Sequence, residues 1–165
     1  MTTPELHRPL ALDRIGTAET EITVTATPAE CRAIAARLHL PAIASLQARW
    51  RLHRDRAEPE TVRATLALTA QLTQTSVLTM ETFETTIQDS TRLRLLPEGA
   101  PGNDDPDSED EIEAIGGQVD LGEATVQQLA LALDPYPREE GADFAFQEEN
   151  TAAPFAGLAA LRKRG

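Results

Sequence analysis

The chain has 165 residues, 41% of them hydrophobic, with 27 Asp+Glu against 15 Lys+Arg and a formal net charge of −12. That length suits one ordinary core. The charge excludes a basic domain that coats DNA or RNA by neutralising phosphates, and 4% aromatics speaks against a base-stacking platform. One cysteine, Cys31, excludes an internal disulfide and a paired-cysteine zinc site.

In chain order, the segment from Leu6 to Gly16 predicts a strand, and Ile22 and Val24 at period two predict another. Thr27-Pro28-Ala29-Glu30 then reads as a helix start, with a capping residue, a proline in the first turn and a capping box. Cys31, Ile34, Ala35 and Leu38 form its apolar face, and Pro41 stops it. Among these neighbours Cys31 reads as a buried thiol.

Ala44, Leu46, Ala48, Trp50 and Leu52 alternate with polar residues, and after the turn Asp55–Pro59 so do Val62, Ala64, Leu66, Leu68, Ala70 and Leu72. The two runs predict a long antiparallel hairpin with one wet face. Thr85, Ile87, Leu93 and Leu95 predict one or two further strands.

From Met1 to Leu96 the chain is neutral, with 11 Arg and 11 acids; from Pro97 on there are 16 acids and 4 basic residues. The acidic stretch 98–117 predicts a mobile loop, because little in it can be buried. Asp120 should cap a second helix with Val126, Leu129, Ala130 and Leu133 as its stripe, ended by Asp134-Pro135. Residues 139–165 predict an acidic linker, with Phe144 and Phe146 as docking points, and a short amphipathic helix carrying Phe155, Leu158 and Leu161. The expected fold is therefore α+β: a twisted, mainly antiparallel sheet with two or three helices, in one domain over residues 1–138.

Searching for chemistry gives little. His7, His39 and His53 match no metal-binding spacing, the glycines make no phosphate loop, and no pair of acids stands out. No catalytic residue, metal or cofactor is expected. One constellation remains. Arg49, Arg51 and His53 share a strand face, Arg54 and Arg56 continue into its turn, and Arg63 has matching parity on the returning strand. These six make a candidate basic binding face, since guanidinium forks suit phosphate and carboxylate groups.

Four segments carry a resemblance: Arg8–Gly16, LTQTSVLTMETF (Leu72–Phe83), GGQVDLGEATVQQLALALDPYPR (Gly116–Arg138) and Ala153–Gly165. Their order resembles the bacterial and plastid YceD family, named for accumulation of the large ribosomal RNA. The most specific block contains Asp120, Leu121, Gly122 and Glu123, and closes on Asp134, Pro135, Tyr136 and Pro137. The resemblance implies a non-enzymatic, cytoplasmic role in accumulation of 23S rRNA and large-subunit biogenesis, with a ribosomal protein, another biogenesis factor or pre-rRNA as partner, and neither DNA nor membrane. The alternatives are an enzyme of unknown class, such as a hydrolase acting on RNA or a small ligand, or a plain interaction module for a basic partner. Relatives often carry Cys at or near Ser76; with Thr75-Ser76 here, a metal or thiol role at that position is not expected. No secretory leader or membrane span is expected either.

Overall fold

The computed structural model describes residues 5–100, 109–134, 136 and 137. The expected linker and C-terminal helix, with the acidic residues 101–108, lie outside the described residues. The chain divides into two units: one of residues 1–73 and 84–133, the other of residues 74–83 and 134–165.

The first unit is built on the alternating runs. Strands β2 (Thr20–Thr25), β3 (Ala42–Arg54), β4 (Val62–Thr75), β5 (Thr82–Leu96) and β6 (Asp110–Glu113) form one five-stranded sheet in that order. The β2–β3 and β3–β4 pairs are antiparallel, and β6 joins β5 in parallel. Period-two patterning does what it should: Leu46, Ala48, Trp50 and Leu52 on β3, and Val62, Ala64, Leu66, Leu68, Ala70 and Leu72 on β4, are all buried. Ala44 departs from the expectation. A register shift between Ile43 and Ser45 turns Ala44 outward and puts Ile43 in the core, as one extra residue in a strand must.

Helix α1 (Pro28–Leu38) begins with the expected box: Glu30 N–H donates to Thr27 Oγ1 at 3.1 Å, and Thr27 N–H to Glu30 Oε1 at 2.8 Å. Its Cys31, Ile34 and Ala35 are buried, and burial raises the Cys31 thiol pKa. Helix α2 (Leu121–Ala132) is capped by Asp120, and Val126 and Leu129 are fully buried in the same core. Trp50, in register with Ile22 on β2 and Leu66 on β4, donates its indole N–H to Thr125 Oγ1 on α2 at 3.1 Å. One sheet face is therefore closed by helix. The other carries Thr23, Gln47, Arg49, Arg51, Thr69 and Gln71, all exposed.

Two expectations need correction. The predicted opening strand is only Pro9–Ala11 (β1), followed by a 3-10 turn, Leu12–Arg14; β1 pairs antiparallel with β7 (Gln118–Asp120) in a separate two-stranded sheet. The acidic stretch 98–117 is not loop throughout. Asp110–Glu113 forms β6, with Leu95 opposite Ile112, Ile112 half-buried against the core and Ala114 fully buried. The open edge of β5 supplies backbone partners that acidic side chains do not prevent; they project sideways and bind. Glu113 Oε2 accepts from Gly99 N–H at 2.6 Å, and Glu98 Oε1 from Gly116 N–H at 2.9 Å. Of the one or two strands expected before Pro97, the chain forms one, β5.

Candidate functional site

The six proposed basic residues separate into four fates. Arg49 and Arg51 do stand on the open sheet face, with side chains 59% and 55% exposed, but both lie 3.5 Å from Glu21, which occupies the same face of β2. His53 is exposed opposite Arg63, and Arg56 is exposed in the turn. Arg63 keeps the expected parity but is held at 2.8 Å by both Asp55 and Glu109. Arg54 does not belong to this face. It pairs with buried Val62, and its guanidinium donates to the carbonyls of Ile15 (2.9 Å), Pro59 (2.9 Å) and Leu12. The last residue before a turn can reach sideways, and three backbone carbonyls converge on its guanidinium there.

The acids explain why the face is weakly basic. Glu109 also lies 3.7 Å from Arg92, while Arg94 is bound by Glu58 and Glu111 at 2.9 and 2.6 Å. The acidic segment thus neutralises the arginines of β4 and β5 in cis. A surface of this kind offers hydroxyls, amides and guanidiniums mostly shared with carboxylates, not a field that gathers phosphates.

The most specific sequence block is a fastener. Asp120 Oδ1 accepts from the backbone N–H groups of Gly122, Glu123 and Arg8, at 3.0, 3.2 and 2.7 Å, and Asp120 Oδ2 lies 2.5 Å from His7 Nδ1. Burial raises the Asp120 pKa, but these donors outweigh it and leave the carboxyl below its ordinary value. Leu121 is buried and its N–H donates to Arg8 O at 2.9 Å. Gly122 is obligatory by space: a Cβ there would lie 2.4 Å from the Leu6 carbonyl oxygen. Glu123 forms a two-pronged pair with Arg37 of α1, both contacts 2.8 Å, and Arg37 also holds Glu5 at 2.9 Å. Arg8 completes the clasp with two 2.9 Å bonds to Glu30. Residues 5–8 are thereby locked to α1 and α2.

The clasp predicts acid sensitivity. Hydrogen bonds from the Arg8 guanidinium hold the Glu30 carboxyl down at about 2, from an ordinary 4.5, and Arg37 lowers Glu123 in the same way. A carboxyl whose folded pKa is depressed contributes stability that is complete above its unfolded pKa and is lost as pH falls through the folded one. Resistance to urea should therefore decline as pH drops from about 4.5 towards about 2. Glu30→Gln, which keeps the capping box, should shorten that decline and lower stability at neutral pH; an unchanged pH profile would show that the Arg8 pair does not form.

The rest of the block lies in the second unit. Asp134 Oδ1 accepts from Tyr136 N–H at 2.9 Å, and Pro137 O accepts from Val77 N–H at 2.9 Å; Pro135 is outside the described residues. The 74–83 segment turns on Ser76, which is buried. Its hydroxyl accepts from Leu78 and Thr79 N–H at 3.1 and 3.3 Å. Val77, Leu78, Met80 and Tyr136 are nonetheless exposed. Sequence reasoning named Tyr136 and the 72–83 segment only through the family resemblance and gave none of the four a surface role; their one local signal was apolar side chains without helical or strand period.

The first unit is thus a helix-backed, mainly antiparallel sheet whose motif residues hold the fold together. The family model of the large ribosomal RNA subunit accumulation protein YceD matches residues 64–162, more than half of the chain. The chain belongs to the YceD family. Comparison with curated proteins and with solved structures finds no match. The matched region starts in β4, so the resemblance of Arg8–Gly16 lies outside it.

Proposed function

We propose that the protein is a non-enzymatic factor in the accumulation of 23S rRNA, acting in large-subunit biogenesis in the compartment where ribosomes assemble. It works by binding a ribosomal protein or another biogenesis factor. Family membership supports the process. One structural observation supports binding over chemistry: Asp120 and Glu123 of the specific block are spent on His7 and Arg37, and Arg8 on Glu30, as the clasp. A net charge of −12 favours a protein partner over RNA, because the overall field repels phosphate.

Deleting the gene should lower the ratio of 23S to 16S rRNA, and the wild-type gene should restore it. Because Arg49 and Arg51 share Glu21, the double variant Arg49→Gln/Arg51→Gln should also restore it. The changes are on the surface and should alter stability by no more than about 0.5 kcal/mol each. A folded double variant that fails to restore the ratio would return function to the sheet face and make direct contact with rRNA the better reading. No effect of the deletion on 23S rRNA would end the proposal.

A further inference from the structure

Among the described residues, Val77, Leu78, Met80, Ile115, Leu131 and Tyr136 are the exposed large hydrophobics. Four of the six, Val77, Leu78, Met80 and Tyr136, belong to the small second unit, at 47, 42, 75 and 70% exposure. Single exposed apolar side chains are ordinary, whereas their concentration in one small unit marks an interaction surface.

The segment is also built to present them. Ser76 N–H donates to Glu81 O at 2.8 Å and Met80 N–H to Ser76 O at 2.9 Å. Thr79 Oγ1 accepts from Glu81 N–H at 3.2 Å. Met80 has φ +64°, a left-handed conformation that glycine or asparagine adopts at lower cost. A turn that tolerates that strain at a residue three-quarters exposed gains nothing for its own core. Methionine and tyrosine are side chains that anchor protein interfaces, the first because it adapts its shape to the partner.

Charge identifies the occupant. The charged residues of this unit's described part, Glu81 and Asp134, are both acids. The sequence has no Lys or Arg from Ala64 to Thr91, nor from Leu95 to Pro137. We propose that the turn around Met80, with Tyr136, docks a Lys/Arg-rich protein segment that inserts an apolar side chain between them. The proposal deepens the biogenesis reading and rests on it for the choice of probe, the proteins of the large subunit.

The test places a photo-crosslinking benzoylphenylalanine at Met80, and separately at Arg51, in the full chain. Both proteins are incubated with purified large-subunit proteins freed of rRNA. A crosslink from position 80, and not from 51, to a cationic segment is expected. Affinity for the protein so identified should fall at least about tenfold in Met80→Ser/Tyr136→Ser and in Glu81→Lys, and wild-type binding should weaken as salt rises. Met80→Gly, which relieves the backbone strain, separates loss of the side chain from loss of the turn: it should keep thermal stability and lose affinity. Crosslinks from position 51 alone, to a second copy of the chain, or to the chain's own residues 139–165 would overturn the docking surface. So would an absence of any crosslink from position 80 while the wild-type gene restores the 23S ratio. Failure of that restoration, with the crosslink intact, overturns the biogenesis reading instead.

Discussion

Trp50→Ala should destabilise the protein by about 3–5 kcal/mol, the range for truncating a buried aromatic to alanine. Trp50 is fully buried in the third strand, flanked in register by Ile22 and Leu66. Truncation opens a cavity between sheet and second helix, where the α2 residues Val126 and Leu129 are also fully buried. It also removes the donor to Thr125 Oγ1, although that hydroxyl keeps its own bond to Leu121 O at 2.7 Å. For a chain of this size the melting temperature should drop by about 10–15 °C. Trp50→Phe, which keeps an aromatic ring but loses part of the indole's volume and its N–H, should cost about 1–2 kcal/mol. Circular dichroism is the readout for both, since Trp50 is the single tryptophan. In the wild type that residue gives an internal fluorescence signal for unfolding. A loss below about 1 kcal/mol in Trp50→Ala would place Trp50 outside the core.

Gly122→Ala should cost about 3 kcal/mol, the upper part of the overpacking range, and lower the melting temperature by about 10 °C. The sign is diagnostic. In an open helix the same change stabilises by about 1 kcal/mol, because alanine has the higher helix propensity. Here the added methyl meets the Leu6 backbone carbonyl oxygen at 2.4 Å and its carbon at 2.7 Å. Backbone cannot rotate away as a side-chain end can, so either α2 or residues 5–8 must move. Movement would break the contacts that hold the clasp: Asp120 to His7 and Arg8, and Arg37 to Glu5 and Glu123. A neutral or stabilising Gly122→Ala would show that Leu6 does not pack there. The Asp-Leu-Gly-Glu block is therefore explained residue by residue as structure: cap, core, close approach and ion pair.

Much of the first unit was legible because its signals are local. Alternation over β3 and β4 predicts both strands and which side chains enter the core. The capping residues Thr27 and Asp120 mark the starts of both helices, and both accept the expected backbone hydrogen bonds. Misreadings cluster where a partner distant in sequence decides. Ala44 has the parity of a core residue, yet a register shift against β4 exposes it. The acidic stretch cannot bury its side chains, yet the vacant edge of β5 recruits its backbone as a parallel strand. Leu6–Gly16 has the pattern of a long strand, but only Pro9–Ala11 finds a partner, in β7.

The candidate binding face shows the same division. Composition and alternation place Arg49, Arg51, His53 and Arg63 on one side of a hairpin, and this much depends only on period two. Whether those cations are available depends on the neighbours the fold delivers. Glu21 arrives by pairing of β2, Glu109 comes from the acidic segment, and the carbonyls of Leu12 and Ile15 draw Arg54 away. The sequence by itself determined the α+β class, the hairpin, the helix caps, the charge asymmetry and the family, because each is written in adjacent or periodically spaced residues. Only the tertiary structure decided that the motif block is a clasp, that the arginines are largely neutralised, and that Met80 and Tyr136, both exposed, belong to one small unit. Ion pairing, close backbone approach and solvent exposure are properties of residues brought together from far apart, and no local pattern encodes them.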